Sequence, residues 1–310
     1  MSKRIRGRCV VSLALLAFVV VSSIAICAEG ELAKQILSAT GVKGGLIVHL
    51  GCGDGKLTAA LRVNDSFVVH GLDSNPANIN LARQHIRSLG LSGPVAADRW
   101  DGEHVPCIDN MANLIVAENP ERVTQAELLR ALVPNGVAYV KKGETWEKIV
   151  KPRPKETDEW THYLHDPSNN AVAHDSVVAP LGRFQWIGSP YYSRHHDHMS
   201  GISAMVSSNG RVFHIFEESP RPSILIPPTW YLTARDAFNG TVLWKRPIGE
   251  WHEHLWPLKS GPQLLTRRLV AMGDRVYVTL AIDAPLAVLD AATGEIIRTY
   301  EGTKATEEIL

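Results

Sequence analysis

Net charge is missing from this chain: 32 lysines and arginines are balanced by 32 aspartates and glutamates over 310 residues. A protein that holds nucleic acid by charge needs a basic excess, so that class of partner is not indicated. Cysteine is scarce as well. Of four, Cys9 and Cys27 fall in the first 28 residues, which leaves Cys52 and Cys107 as the one pair that an oxidising compartment could join. The chain has no Cys-x-x-Cys-His, so covalent haem is not indicated, and no His-Glu-x-x-His zinc spacing. Its length nevertheless allows two domains with cores of their own.

The N-terminus carries Lys3, Arg4, Arg6 and Arg8, then an apolar run from Val10 to Ile26 and small residues at Cys27-Ala28. That layout predicts an export signal over residues 1–28 and a periplasmic or extracellular protein. The alternative is an uncleaved N-terminal membrane anchor, because the run approaches the length that spans a bilayer. Ile26 before Cys27 is a poor fit to a lipoprotein cleavage site, which disfavours acylation.

Gly51-Cys52-Gly53-Asp54-Gly55 lies between the apolar run Leu46-Ile47-Val48 and the helix-like Lys56–Leu61. Glycines at alternate positions let the backbone turn sharply at a strand end and approach a ligand closely, and the helix after them directs free N–H groups at it. A dinucleotide loop would place its third glycine at position 56, where Lys56 stands. Asp73 follows the run Phe67-Val68-Val69 at the distance where a carboxylate meets ribose hydroxyls; its other reading is a cap on the turn with Ser74 and Asn75. A helix is predicted next, capped by Asn75, with Pro76 in its first turn, Ile79, Ala82, Ile86 and Leu89 on one face and Gly90 at its end. Further apolar runs lead to Asp98, to Glu118 with Asn119-Pro120 after it, a pair read as a turn rather than a substrate contact, and through Val137–Val140. Strands and helices alternate through five units, which predicts an α/β Rossmann-like domain over residues 29–150.

The glycine spacing resembles motif I of class I S-adenosylmethionine (SAM) methyltransferases. The resemblance implies SAM as cofactor, the Gly51, Gly53 and Gly55 loop facing its methionine part, Asp73 on the ribose and Asp98 at the adenine amino group. Two features depart from the family. His49 replaces the acidic residue two before the first glycine, which helps to hold the cofactor's ammonium group. No clear sixth and seventh strands precede the Pro- and charge-rich linker at 151–159, so the domain reads as trimmed. No catalytic base is named by the sequence, and alignment of acceptor with methyl group would itself supply rate. SAM is made and held in the cytoplasm, so an exported methyltransferase needs an unusual supply.

From Trp160 the helical period fades and an all-β region begins. Gly273-Asp274-Arg275-Val276-Tyr277-Val278 and Leu286–Ile297 repeat the order of Asn209-Gly210-Arg211-Val212-Phe213 and Tyr231–Trp244. Each copy reads as two strands, an Asp-Ala-x-x-Gly turn and a third strand, the Asp capping the turn and the Gly at positive φ. This resembles the blade repeat of pyrroloquinoline quinone (PQQ)-like, quinoprotein alcohol dehydrogenase-like β-propellers. With Trp160–Asp166 and Arg235–Gly240, the chain resembles exported planctomycete-type proteins that join a methyltransferase-like domain to such a propeller. Two copies cannot close a ring, so residues 160–310 are expected to be an incomplete propeller of a truncated or longer protein. Histidines crowd three places: His162, His165 and His174; His195, His196 and His198; His252 and His254. They are metal-ligand types without a diagnostic spacing, and no metal site is assigned. Asp236 and Asp290 belong to turns and are poor candidates for a quinone enzyme's base, so bound PQQ is not expected.

Three functions are consistent with these features: a SAM-dependent methyltransferase with an unknown acceptor, a scaffold that meets a protein partner through its propeller and keeps a vestigial nucleotide fold, and part of a quinoprotein oxidoreductase.

Overall fold

The computed structural model describes residues 28–310 except 119, 121, 178–181, 183, 192–201, 220–225 and 252–262. The expected export signal up to residue 27, Asn119 and the histidines at 195–198 and 252–254 therefore lie outside the described residues.

The apolar runs of the first half become Gly45–Leu50 (β1), Phe67–Asp73 (β2), Val95–Arg99 (β3), Ala112–Glu118 (β4) and Leu132–Lys142 (β5). They pair in parallel in the order β3-β2-β1-β4-β5. The central strands β1 and β4 are buried on both faces, as expected of parallel strands between two layers. One face packs against residues 28–40 (α1), Lys56–Ala60 (α2) and Pro76–Ser88 (α3) through Ile36, Leu57, Ile79 and Ile86. The other packs against Gln125–Ala131 (α4) through Leu128 and Ala131, which meet Val48, Ile115 and Val140. Helix α3 begins as its sequence predicts, with the Asn75 side chain accepting from the Ala77 N–H and Pro76 in the first turn. Leu89 departs from its predicted place on the buried face: it is the C-cap, 50% exposed, because the helix ends before its side chain reaches the sheet.

Two further corrections concern the domain's size. Strand and helix do not alternate through five units, since residues 100–111 link β3 to β4 without a helix. Side chains of α4 hold that link instead: Arg130 donates to the carbonyls of Val105 (3.0 Å) and Cys107 (2.8 Å), and Glu127 accepts from the Val105 N–H at 2.8 Å. A sixth strand does exist, Thr145–Val150 (β6), antiparallel to β5 across a turn in which Gly143 has φ 62°. Its exposed, charge-rich pattern is that of a protected edge and hides it among linker residues.

The second half forms two four-stranded antiparallel sheets. The first holds Ile202–Ser208 (β7), Arg211–Glu217 (β8), Trp230–Asp236 (β9) and Val242–Ile248 (β10) in chain order. The second holds Leu269–Met272 (β11), Arg275–Thr279 (β12), Leu286–Asp290 (β13) and Ile296–Tyr300 (β14). Each copy thus has four strands rather than three. The strands missed are β7, of seven residues, and β11, of four, which precede the Asn209-Gly210 and Gly273-Asp274 turns that mark each hairpin. One core, with Phe213, Ile215, Leu232, Leu269, Val276 and Leu289, joins the sheets. Residues Trp160 and Thr161 tie them further, their carbonyls accepting from Ser207 N–H (2.7 Å) and Ala271 N–H (3.0 Å).

The predicted turns form as their sequences require. Asp236 Oδ1 accepts from the N–H groups of Phe238 and Asn239, Asp290 Oδ1 from those of Ala292 and Thr293, and Gly240 and Gly294 have φ of 73° and 72°. A tryptophan lies flat on each glycine: Trp186 donates to the Ala237 carbonyl and Trp244 to that of Ala291, both at 3.0 Å. A Cβ at either glycine would fall inside the indole ring's contact distance, at 2.5 and 2.6 Å. Trp244 belongs to the first sheet and Gly294 to the second, so this contact fixes one sheet against the next.

The two units meet at the amino end of the parallel sheet. Asn113 Oδ1 accepts from Leu46 N–H (2.8 Å) and Asn239 Nδ2 (2.7 Å), while its Nδ2 donates to Asp236 Oδ2 at 2.6 Å. Ser66 Oγ donates to the Leu243 carbonyl at 2.5 Å.

Candidate cofactor site

The carboxyl ends of β1, β2 and β4 converge on the glycine loop. Leu72, next to the end of the adjacent strand, has a carbonyl that accepts from both Gly51 N–H (2.8 Å) and Cys52 N–H (3.0 Å), which bends the chain over the sheet edge. Gly51, Gly53 and Gly55 all have left-handed φ, 79°, 53° and 81°, a region that costs other residues about 1 kcal/mol or more. Beyond this shared need they serve different ends. A Cβ at Gly55 would lie 2.7 Å from the Cα of Ala82, so this glycine lets α3 pack against the loop. At Gly51 it would meet the Glu118 carbonyl at 3.4 Å, whereas at Gly53 nothing lies within 4 Å. Gly53 is therefore the position where the loop backbone faces open space that a ligand could enter. The helix after the loop is short, five residues, and the Lys56 N–H already donates to Asp54 Oδ1 at 3.2 Å, so it offers fewer free donors than expected.

Asp73 is 7% exposed and tied to the loop: Oδ2 accepts from Gly53 N–H (3.0 Å) and Asn78 Nδ2 (3.1 Å), Oδ1 from Asn75 N–H (2.8 Å). The turn-capping reading is thus present in the structure, and it uses three of about four acceptor sites on the carboxylate. Asp98 is not brought to the same place. It pairs in register with Leu72, whereas Asp73 pairs with Arg99, and side chains alternate along a strand, so the two carboxylates leave opposite faces of the sheet. Asp98 meets His70 Nε2 at 3.0 Å and Arg83 at 2.5 Å. Burial pushes its carboxyl up, but the hydrogen bonds from His70 and Arg83 outweigh that and hold it below the usual range.

His49 cannot stand in for the missing acid. It is 1% exposed, its Nδ1 lies 2.8 Å from Thr58 Oγ1, and burial lowers its pKa to about 4, so the ring is neutral at pH 7. Its Nε2 has no hydrogen-bond partner. Cys52 beside it is a free thiol pushed up to about 12 by burial and the nearby Asp73, and Cys107 is free too, so the disulfide allowed by the sequence is not formed.

Negative charge arrives from another element. Lys148 Nζ caps the carbonyls of Ala39 and Thr40 at the end of α1, and residues 41–44 turn directly into β1, so α1 runs back along β1. At about 1.5 Å per residue its 28–40 span matches the strand's height and sets Glu29 at the loop's level. The Glu29 carboxyl is raised by burial and by the charges of Glu118 and Asp54. Glu29 and Glu118 were not singled out by the sequence; a helix that leads into the first strand of a parallel sheet was the available signal. Among the described residues no three metal-ligand side chains converge. His165 instead bonds Asp158 (2.7 Å) and meets Trp160 and His174 edge-on.

Residues 47–136 match the family described as methyltransferase domain. That stretch is a methyltransferase-type domain. SAM is the cofactor that belongs with it, and the site suits it in part: the open space at Gly53 and the Glu29 carboxylate could take its cationic amino-acid end, while Asp54 and Glu118 beside them are paired with Lys56 and Lys141. No curated protein matches the chain. Among solved structures it is similar to a proposed SAM-dependent methyltransferase from Methanococcus maripaludis (24% identity, 36% of this chain and 54% of that one, TM-score 0.34). It is also similar to the [4+2]-cyclase SpnF (24%, 36% and 43%, 0.33) and to geranyl diphosphate C-methyltransferase from Streptomyces coelicolor A3(2) (17%, 36% and 45%, 0.33). The chain spans about half the length of these proteins. The assignment of the methyltransferase domain rests on the family match.

Proposed function

We propose that the methyltransferase domain binds SAM over Gly51, Gly53 and Gly55, with Asp73 at the ribose and without Asp98, which leaves the other face of the sheet, and serves methyl transfer to an acceptor outside the cytoplasm. The observation that carries this reading is the direct bond from Gly53 N–H to Asp73 beside open space, since it joins the loop and the acidic strand end in one site. SAM supplies an electrophilic methyl group when bound. The loop holds its place through the Leu72 carbonyl, Glu29 favours an ammonium group, and Asp73 orients the loop and keeps one acceptor site for a hydroxyl.

Calorimetry with SAM and its demethylated product tests it. Gly53→Ala is expected to cost about 1 kcal/mol of stability and to weaken SAM binding about tenfold or more, because the methyl enters that space. Folded wild-type protein that binds neither compound would overturn the reading.

A second reading is favoured by the same carboxylate: Asp73 is largely satisfied by the protein, His49 is neutral, and no helix joins β3 to β4. On this reading the domain is a relic and the protein is a scaffold. The two consecutive four-stranded sheets with a shared core and tryptophan-on-glycine contacts support a PQQ-like propeller arc as its binding surface. Saturable SAM binding with methyl transfer would defeat it. An oxidoreductase reading has less support, since Asp236 and Asp290 are both consumed by turn hydrogen bonds. Export is part of the proposal; sequencing the N-terminus of the mature protein decides between a cleaved signal and a retained anchor.

A further inference from the structure

Among the described residues one helix, α4, packs on its face of the parallel sheet where three pack on the other, and a cavity opens beside it. It has a volume of about 300 Å³ and lies between α4 and the β5–β6 hairpin, lined by Val123, Leu128, Val140 and Ile149 with Pro120. Gln125, Lys141 and Lys142 complete the lining. Strand alternation sorts the two lysines. Val140 and Lys142 share a face, so Lys142 stands at the rim of the apolar surface, where it pairs with Glu147 at 2.5 Å and stays 66% exposed. Lys141 leaves the opposite face, toward Glu118 (3.4 Å) and the Trp146 ring.

Position makes the cavity relevant to the cofactor site. The glycine loop caps β1, and β4 and β5 are its next neighbours in the sheet, with Leu50 beside Ala117 and Ala117 beside Val140. Two strand spacings amount to roughly 10 Å, so the cavity opens at the carboxyl end of the same sheet, on the β5 side of β1, with β2 and β3 and their Asp73 and Asp98 on its other side. Apolar walls with few polar groups at the rim are the usual make-up of a small-molecule pocket.

We propose that this cavity binds a compact aromatic compound with a weakly acidic hydroxyl, and that this compound is the methyl acceptor; the second half rests on the methyl-transfer reading, the first does not. The ring fills the space between Leu128, Val140 and Ile149, and the hydroxyl oxygen lies at the rim, where the Lys142 ammonium favours its ionised form. In the transfer the hydroxyl releases its proton to water, its oxygen forms a bond to the methyl carbon of SAM, and the carbon–sulfur bond breaks with its electron pair left on sulfur.

The probe is 2-naphthol, followed by its own fluorescence against the full chain. Saturable binding at one site is expected, weakened at least tenfold by Ile149→Trp or Val140→Trp, which occupy the space. Lys142→Met is expected to weaken it by about threefold and more at alkaline than at neutral pH, in keeping with an exposed charge. Ile149 is half-buried on the edge hairpin, so that variant retains the fold if Val140→Trp does not. Absence of saturable binding, or wild-type affinity in folded Ile149→Trp, overturns the proposal. SAM calorimetry run in parallel separates the two claims. Naphthol binding without SAM binding refutes methyl transfer and leaves the pocket, whereas SAM binding without naphthol binding refutes the pocket alone.

Discussion

Asn113→Ala is expected to lower the unfolding free energy by about 4 kcal/mol, a large share of what a domain of this size has to lose. The side chain makes two bonds across the boundary between units and one within its own: Oδ1 takes two N–H donors, from Asn239 across it and from Leu46 in β1, and Nδ2 gives to the Asp236 carboxylate. Its removal strands the Leu46 N–H at the start of β1 and withdraws a donor from a charged, largely buried carboxylate. Burial already raises the Asp236 carboxyl, and the Asn113 hydrogen bond is the largest effect opposing that rise. Asp236 also caps the turn after β9, so damage reaches the first four-stranded sheet as well as the methyltransferase domain. Denaturant titration checks it, read by far-ultraviolet dichroism and by tryptophan fluorescence, since most tryptophans lie in the β unit. A loss under about 1 kcal/mol, or coincident unchanged midpoints, would show that the boundary carries little coupling.

Acidification from pH 7 to pH 4 is expected to remove about 6 kcal/mol of stability, the largest effect foreseen here. Two histidines supply it. His49 and His214 are buried and each is lowered to about 4, His49 by burial alone and His214 by burial and then by Arg235 and Lys245. Each is neutral when folded and titrates near 6.5 when unfolded, so between these values the unfolded chain binds more protons. The stability that these two rings lend is therefore complete above about pH 6.5, falls as pH drops toward 4, and changes little below, where carboxylates held low in the fold, Asp158 at about 2 among them, continue the loss; each histidine shift is worth on the order of 3 kcal/mol. Asp236, raised in the folded state, works in the opposite direction and reduces the total. Unfolding free energies at pH 7, 5.5 and 4 check the slope, and His49→Leu or His214→Leu should each remove about half of it. A flat profile in wild type would mean that these rings acquire partners or water in acid.

Much of the site was legible because its causes are local. The glycine loop had to turn at a strand end, and three left-handed φ angles follow from its spacing. Asn75, Asp236 and Asp290 capped the turns that their neighbours begin, within three residues in each case. Other expectations failed where a distant segment intervened. The predicted helix between β3 and β4 is absent because Arg130 and Glu127, more than twenty residues away, bond that backbone directly. Strand β6 went unseen because an exposed edge carries no apolar run. Asp98 keeps its strand end but not its face, since register rather than sequence position decides which side a carboxylate leaves.

By itself, the amino-acid order determined the kinds of units in this protein and their succession: a glycine-looped parallel sheet, then repeated hairpins closed by Asp-to-Gly turns. Those follow from backbone conformation and from apolar periods of a few residues. Tertiary structure alone decided that His49 is neutral, that Glu29 and Glu118 bring negative charge to the loop, that Gly55 serves packing while Gly53 leaves space, and that Asn113 joins the halves. Each depends on desolvation or contact between segments far apart in the chain, and those energies exist only once the layers have packed.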